Sequence, residues 1–226
     1  MATASMPIPS ARSRTPMLSL GFHPDCVPYE RALELQAEAV DRIEQGVDRG
    51  TVLLLEHPPV YTAGRRAEPD EYPSDGSPVV VVDRGGRVTW HGPGQLVCYP
   101  VVRLRSGAGV VDFVRALETA IIDTVAAFGV SGTRVEGRSG VWVTHPDRPP
   151  TKLAQIGLRA RAGIITHGIA INCCNDLEPF SRIVPCGIPD AGVTTLSALA
   201  GRRIPPEIVA PDLQVHLAHV IAEFTA

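Results

Sequence analysis

The sequence predicts an α+β fold, a mixed and mainly antiparallel sheet flanked by helices, and three observations carry the prediction. Three stretches hold apolar residues at helical spacing, a larger number of short β-rich pieces lies among them, and the two kinds do not alternate strictly. The last point sets aside a Rossmann or barrel order. With 226 residues, 44% of them hydrophobic and 20% charged, the chain has the length of one catalytic-sized domain and the composition of an ordinary globular protein. We expect a flexible tail over 1–17 and a single domain over 18–226.

The tail, "MATASMPIPSARSRTPM", has arginines and serines, no acid and no helical apolar face. From Pro28 to Asp48 apolar residues recur at Leu33, Ala37, Val40, Ile43 and Val47, which predicts an amphipathic helix ending before Gly50. The pieces "TVLLLEH", "SPVVVVDR", "RVTWHG" and "QLVCYPVVRL" follow, rich in β-branched residues and punctuated by Pro, Gly and Asp, and read as strands of one sheet. A second helix is expected over Val110 to Phe128, with Phe113, Leu117, Ala120, Ile121, Thr124, Val125 and Phe128 on its buried side and Gly129 as the stop. Next come "SGVWVTH", "KLAQIGLRARAG" and "IITHGIAIN", the last two parted by a hairpin-like break at Ala162 and Gly163. "THPDRPPT", Thr144 to Thr151, is a polar connection beside the expected site. A third helix opens near Pro211 and runs through Leu213, Leu217, Val220 and Phe224.

Totals exclude several classes. A formal charge of −3 argues against a nucleic-acid binder, and no apolar run approaches the roughly 20 residues of a membrane helix. Five cysteines, at 26, 98, 173, 174 and 186, show no C-x-x-C spacing, so free thiols, no metal site and a reducing, cytoplasmic setting are expected. Arg65, Arg66, Arg84, Arg87, Arg103, Arg105, Arg134 and Arg138 fall in or near expected loops. They are either a basic patch for an acidic partner or scattered solvated charges.

Three segments could carry chemistry. "IVPCGIPDAGVTTLS" sets Cys186 between prolines and glycines, residues that fix a loop in one shape. Lys152 is the one lysine of the chain, every other base apart from histidine being arginine; an amine can give up its proton where a guanidinium cannot. A thiol near pKa 8.5 needs such a neighbour to become a thiolate at neutral pH. His91 or His167 could serve Cys186 instead, and a cysteine packed as a small core residue is the plain alternative. In "DRGGRVTWHGPGQLVCYP", glycines bracket a short strand, which suits close approach of a ligand to main chain or simply a pair of tight turns.

Together "RGGRVTWHGPGQLVCYP", "KLAQIGLRARAGIITHGIAIN" and "RIVPCGIPDAGVTTLS", with "HPPVYTAGRR", resemble the lipoyl(octanoyl)transferase family from about Leu18 to Leu199. The resemblance implies a biotin/lipoate protein ligase fold and transfer of an octanoyl group from octanoyl-acyl carrier protein to a lysine of lipoyl domains. Those domains would be the ones in 2-oxoacid dehydrogenase E2 subunits and the glycine cleavage H protein. It implies Cys186 as the acyl-thioester residue and Lys152 as the group that lowers its pKa. Arg84, Gly85, Gly86, Arg87, Val88, Thr89, Trp90 and His91 would line the acyl site with Gln155, Ile156, Gly157, Gly168, Ile169 and Ala170. Val88, Ile156 and Ile169 would supply an apolar groove, and backbone N–H groups near Gly157 or Gly187 an oxyanion site. No cofactor, ATP or metal is implied, and a monomer is expected. Two positions depart from the family pattern: Cys174 in "NCCNDL" and the apolar run "VVVVDRGG". An ATP-dependent lipoate or biotin ligase, or a non-catalytic module that binds lipoyl domains or carrier protein, would share the fold.

Overall fold

The run "QLVCYPVVR" is apolar at almost every position, so it has to be covered on both faces. In the computed structural model, which describes residues 15–184 and 191–225, it is the strand on which the rest is hung. The elements are β1 (Met17–Gly21), α1 (Tyr29–Glu44), β2 (Gly50–Leu55), β3 (Val60–Ala63), β4 (Val79–Val81), β5 (Val88–His91), β6 (Gln95–Arg103), α2 (Val110–Ala126), β7 (Thr133–Val135), β8 (Arg138–Val143), β9 (Thr151–Arg161), β10 (Ile164–Asn172), β11 (Gly192–Val193), α3 (Leu196–Ala200) and α4 (Pro206–Phe224). The main sheet runs β1-β2-β6-β10-β9-β8-β7, with β11 added to β9. Only the β1–β2 and β11–β9 pairs in it are parallel. The mixed, mainly antiparallel sheet flanked by helices is therefore as predicted.

Alternation along β2 and β6 sorts side chains to two sides. Val52, Leu54, Leu96, Cys98 and Val102 pack under α2 and α4, and Leu53, Leu55, Val97, Tyr99 and Val101 pack under α1. α2 buries the stripe read from its sequence, Phe113, Leu117, Ala120, Ile121, Thr124 and Val125, against that sheet face, while Phe128 lies beyond the helix end and is half-buried. Each large apolar side chain in the stripe contributes roughly 1.5–3 kcal/mol. The β9–β10 hairpin turns on Ala162 (φ 50°) and Gly163 (φ 76°), the pair of positive φ values that a two-residue turn of matching twist needs.

Four expectations are corrected. The β pieces before α2 do not form one sheet: β4, β3 and β5 make a separate three-stranded sheet with its own core of Tyr61, Ala63, Val88, Trp90, Phe180 and Ile183. Only Val79–Val81 of "SPVVVVDR" is strand. α1 ends at Glu44 and is rotated from the face predicted: it buries Tyr29, Ala32, Gln36, Ala39 and Ile43 and leaves Ala37 and Val47 exposed. Small residues let the helix sit close to the sheet, with Leu35 and Val40 packed beside them. α4 begins at Pro206, not near Pro211, because a proline at the first helical position forfeits no hydrogen bond; Pro211 then rides inside the helix. Finally, Met17, assigned to the tail, already pairs with Val52, and β1, β3, β7, β11 and α3 were not foreseen.

Candidate active site

A cavity opens where α1 stops covering its side of the main sheet. Its walls come from Tyr29 of α1, Val97 and Tyr99 of β6, Lys152, Gln155, Ile156 and Gly157 of β9, and His167, Gly168, Ile169 and Ala170 of β10. The small sheet and its loops close it with Arg66, Arg84, Gly86, Arg87, Thr89 and His91, and the turn from β7 to β8 with Gly137, Arg138 and Ser139.

Lys152 reaches this cavity because β9 carries an extra residue. Val141 pairs with Ala154 and Trp142 with Lys152, so one step on β8 is matched by two on β9. Leu153 and Ala154, consecutive in sequence, consequently both face the core under α2, and Lys152 is turned to the opposite side with Gln155. Gly140 permits the distortion: it sits at φ 99°, and a Cβ there would lie 2.3 Å from Ala154 O and 2.9 Å from the Lys152 Cε. Lys152 is only 4% exposed. Its ammonium lies 4.9 Å from the centre of the Trp142 ring, and the Arg138 guanidinium lies 5.7 Å from the same ring. Two basic side chains against one indole make this end of the cavity receptive to negative charge.

The chain that follows residues 185–190 returns to the same place. β11 pairs in parallel with the start of β9, Val193 opposite Lys152, and Thr194 N–H donates to Lys152 O at 3.0 Å. β11 thus takes the edge beside β9 where the β10 ladder has ended. Cys186 itself and Gly187 lie outside the described residues.

The far wall is aromatic and uncharged. His57 is wholly buried; its Nδ1–H donates to Val27 O at 2.7 Å, which leaves Nε2 to accept from the Tyr99 hydroxyl at 2.8 Å. Gln95 Nε2 donates to Asn172 Oδ1 at 2.9 Å and Trp90 O at 3.3 Å, so its Oε1 accepts from His91 Nδ1–H at 2.7 Å. The Nε2 of His91 is thereby an unprotonated acceptor on a ring that lines the cavity. Burial lowers the pKa of His57 to about 4 and that of His91, also facing His57, to about 3, and burial raises Tyr29 to about 12. His167, at φ 57°, donates from Nε2 to Asp83 Oδ1 at 3.0 Å, and burial lowers its pKa against the pull of Asp83. Opposite it in register stands Pro100, which has no N–H, and the His167 N–H goes instead to Gln36 Oε1 of α1 at 2.7 Å. Gly168 is required beside it, since a Cβ would lie 1.9 Å from Cys98 O.

The glycine-bracketed segment is a rigid rim. Arg84 is buried and donates to Thr62 O, Thr62 Oγ1 and Gly85 O at 2.8–2.9 Å, and Gly85 N–H donates to Leu158 O at 2.8 Å. Of the segment predicted to line the site, Arg84, Gly86, Arg87, Thr89 and His91 do so. Val88 and Trp90 point the other way along β5, into the small sheet's core, so Val88 supplies no groove; Gly85 serves the loop's contact with β9. Lys152, Gln155, Ile156, Gly157, Gly168, Ile169 and Ala170 all line the same cavity. The suggested arginine patch divides: Arg66, Arg84, Arg87 and Arg138 surround the cavity, whereas Arg103, Arg105 and Arg134 bond Ala162 O, Glu223 O and Glu118 elsewhere. Tyr29, Val97 and Tyr99 were not singled out from sequence, and neither was His57, a buried support of the wall. Nothing in the spacing of an apolar strand marks which of its residues meets a cavity. Among the described residues no cluster of three or more His, Cys, Asp or Glu could hold a metal ion, and no helix is long and apolar enough to cross a membrane.

The site is a lysine- and arginine-lined cleft between the mixed main sheet and a small glycine-looped sheet. Residues 28–218 match the lipoyl protein ligase A/B catalytic domain. The chain is 51% identical over 210 residues to the octanoyltransferase of Clavibacter sepedonicus, covering 91% of this chain and 90% of that one, and 55% identical over 184 residues to the octanoyltransferase of Mycolicibacterium smegmatis, 80% of each. Among solved structures, the bipartite lipoate protein ligase of Thermoplasma acidophilum superposes with a TM-score of 0.67 at 12% identity, over 92% of this chain and 84% of that one. The biotin protein ligase of Aquifex aeolicus does so with 0.54 at 14% identity, over 92% and 70%. The chain belongs to the lipoyl protein ligase A/B catalytic domain family and, within it, to the octanoyltransferases, which are acyltransferases.

Proposed function

We propose that the protein moves an octanoyl group from the pantetheine thioester of an acyl carrier protein to a lysine amine of lipoyl domains, through a thioester on Cys186. The acceptors are the lipoyl domains of 2-oxoacid dehydrogenase E2 subunits and the glycine cleavage H protein. The observation that carries this reading is the main-chain pairing of β11 with Lys152, because β11 follows the Cys186 segment closely in sequence and its place alongside that residue favours a Cys186–Lys152 pair. In the first half-reaction the thiol proton passes to the Lys152 amine, the sulfur attacks the acyl carbon, and the carrier thiolate leaves and takes the proton. In the second, the neutral acceptor amine attacks the cysteine thioester and gives its surplus proton to the Lys152 amine, the amide forms, and sulfur leaves as a thiolate beside the resulting ammonium and the Arg138 guanidinium; return of the proton from Lys152 to sulfur restores the starting state. His91 and His167 are weaker candidates for the base, since burial disfavours their protonated forms. Val97, Ile156, Ile169 and Ala170 give the acyl chain an apolar floor, worth about 0.8 kcal/mol per buried methylene. The incoming thioester is already activated, so the reaction draws on no ATP.

The test is intact-mass measurement after mixing the enzyme with octanoyl-carrier protein. One octanoyl adduct is expected on the wild type and none on Cys186→Ser. Transfer from free octanoate and ATP, with no adduct from the carrier thioester, would instead establish an acid-activating ligase.

A further inference from the structure

The cavity is far more basic than the molecule that contains it. Acids outnumber Lys and Arg in the chain, 24 to 21, yet among the described residues the lining holds Arg66, Arg84, Arg87, Arg138 and Lys152 and not one Asp or Glu. These charges do not stand in equivalent positions. Arg84 is buried and bound to Thr62 and Gly85, and Arg87 is neutralised by Glu71 at 2.5 Å. Lys152 lies deep, against Trp142. Arg66 is exposed at the mouth, and its guanidinium makes no hydrogen bond or ion pair among the described residues.

Its backbone, by contrast, is firmly held. Gly64 N–H donates to Arg87 O at 3.2 Å, Arg65 N–H to Arg84 O at 3.0 Å and Arg66 N–H to Gly86 O at 3.1 Å, so the Arg66 loop is stitched rung by rung to the glycine rim. A long cationic side chain is thus mounted on a fixed edge above a cavity whose floor, Val97, Ile169 and Ala170, is at most 3% exposed and uncharged. The ligand that fits is apolar at one end and carries an anion at the other, separated by a linker. A fatty acid does not fit this description, because its carboxylate adjoins its chain. An acyl thioester on 4′-phosphopantetheine does, because the pantetheine arm separates its phosphate from the acyl carbon.

We propose that Arg66 is a phosphate anchor, which binds the phosphate of the donor's phosphopantetheine arm while the acyl chain occupies the floor. The inference rests on the acyl-transfer reading given above and assigns that reading its donor specificity. A guanidinium suits the role because its planar fork matches two phosphate oxygens at once.

The experiment compares octanoyl transfer to a lipoyl domain from S-octanoyl-pantetheine and from S-octanoyl-4′-phosphopantetheine, with the full chain as wild type, Arg66→Gln and Arg66→Lys. The wild type is expected to favour the phosphorylated donor by about tenfold in kcat/KM, chiefly through KM, the size of one charge-assisted hydrogen bond. Arg66→Gln should erase most of that preference and Arg66→Lys restore part of it, with unchanged melting temperatures. Equal use of the two donors by the wild type, or an equal loss on both in Arg66→Gln, overturns the anchor while leaving acyl transfer intact. An Arg66-dependent advantage for octanoyl adenylate, with none for the phosphopantetheine donor, assigns the site to a nucleotide and also overturns it. Failure to use either thioester sinks the acyl-transfer reading itself.

Discussion

The two sides of the main sheet are built from the same strands and do opposite work. Under α2 and α4 the sheet meets a continuous apolar core, with Glu118 and Thr124 of α2 among its few buried polar groups. Under α1 the cover stops short, and the uncovered part buries Lys152, His57, His91, Gln95, Gln155 and His167. Buried polar groups cost free energy unless they are bonded, so the second side is the one where stability is given up for chemistry. Adjacent residues of β9 divide between the two: Leu153 belongs to the first, Lys152 to the second.

That division is most sharply broken by substituting those neighbours. Lys152→Ala should lower octanoyl transfer by at least about a hundredfold with the fold intact, as loss of a proton-transfer group does. Leu153→Ala should cost 2–5 kcal/mol in urea unfolding, an estimate of about that size for a buried leucine, and leave the rate per folded molecule within about twofold. The reverse pattern, stability lost at Lys152 and rate at Leu153, would break the comparison.

A pH series tests the cavity side alone. His57 and His91 are held neutral in the folded protein, with pKa values of about 4 and about 3, below the unfolded value near 6.5. The unfolded chain therefore binds more protons between pH 6.5 and 3, so stability is full above pH 6.5 and falls as the pH drops through that window. The loss for His57 alone should be on the order of 3 kcal/mol by pH 4. An unfolding midpoint constant from pH 7 to 4 would show that these rings are not buried as neutral groups.

Smaller effects sharpen the contrast. Gln95→Leu leaves His91 Nδ1–H and Asn172 Oδ1 without partners and should cost roughly 1–3 kcal/mol, with KM or kcat altered as the His91 ring loosens. Val111, 70% exposed on the outer side of α2, should accept Ser with a change within about 0.5 kcal/mol and no change in rate. A larger effect there would mean that the helix face has an unrecognised partner.

How much of this was legible in the sequence follows the same line. α2 was read correctly because its buried stripe is also its most hydrophobic one. α1 was not, because it buries Ala32, Gln36 and Ala39, residues chosen for close approach and, in Gln36, for one hydrogen bond to His167. The small sheet escaped notice because β3 is four residues between a proline pair and a glycine, too short for a periodic signal. Lys152 stood out by its rarity and the glycine segments by their density, and both line the cavity. Tyr99 and Val97 did not, since they sit in an unbroken apolar strand where inward and outward residues look alike.

The displaced register at Leu153 has a consequence for how the protein can change. Side-chain direction in a strand is a matter of parity, and one surplus residue between Ala154 and Lys152 reverses it. Excising Leu153 would leave Lys152 next to Ala154 in plain alternation and still facing the cavity, whereas straightening the strand with Leu153 in place would aim the amine into the oily interior. The direction of Lys152 is thus set by the kink as much as by the residue's identity.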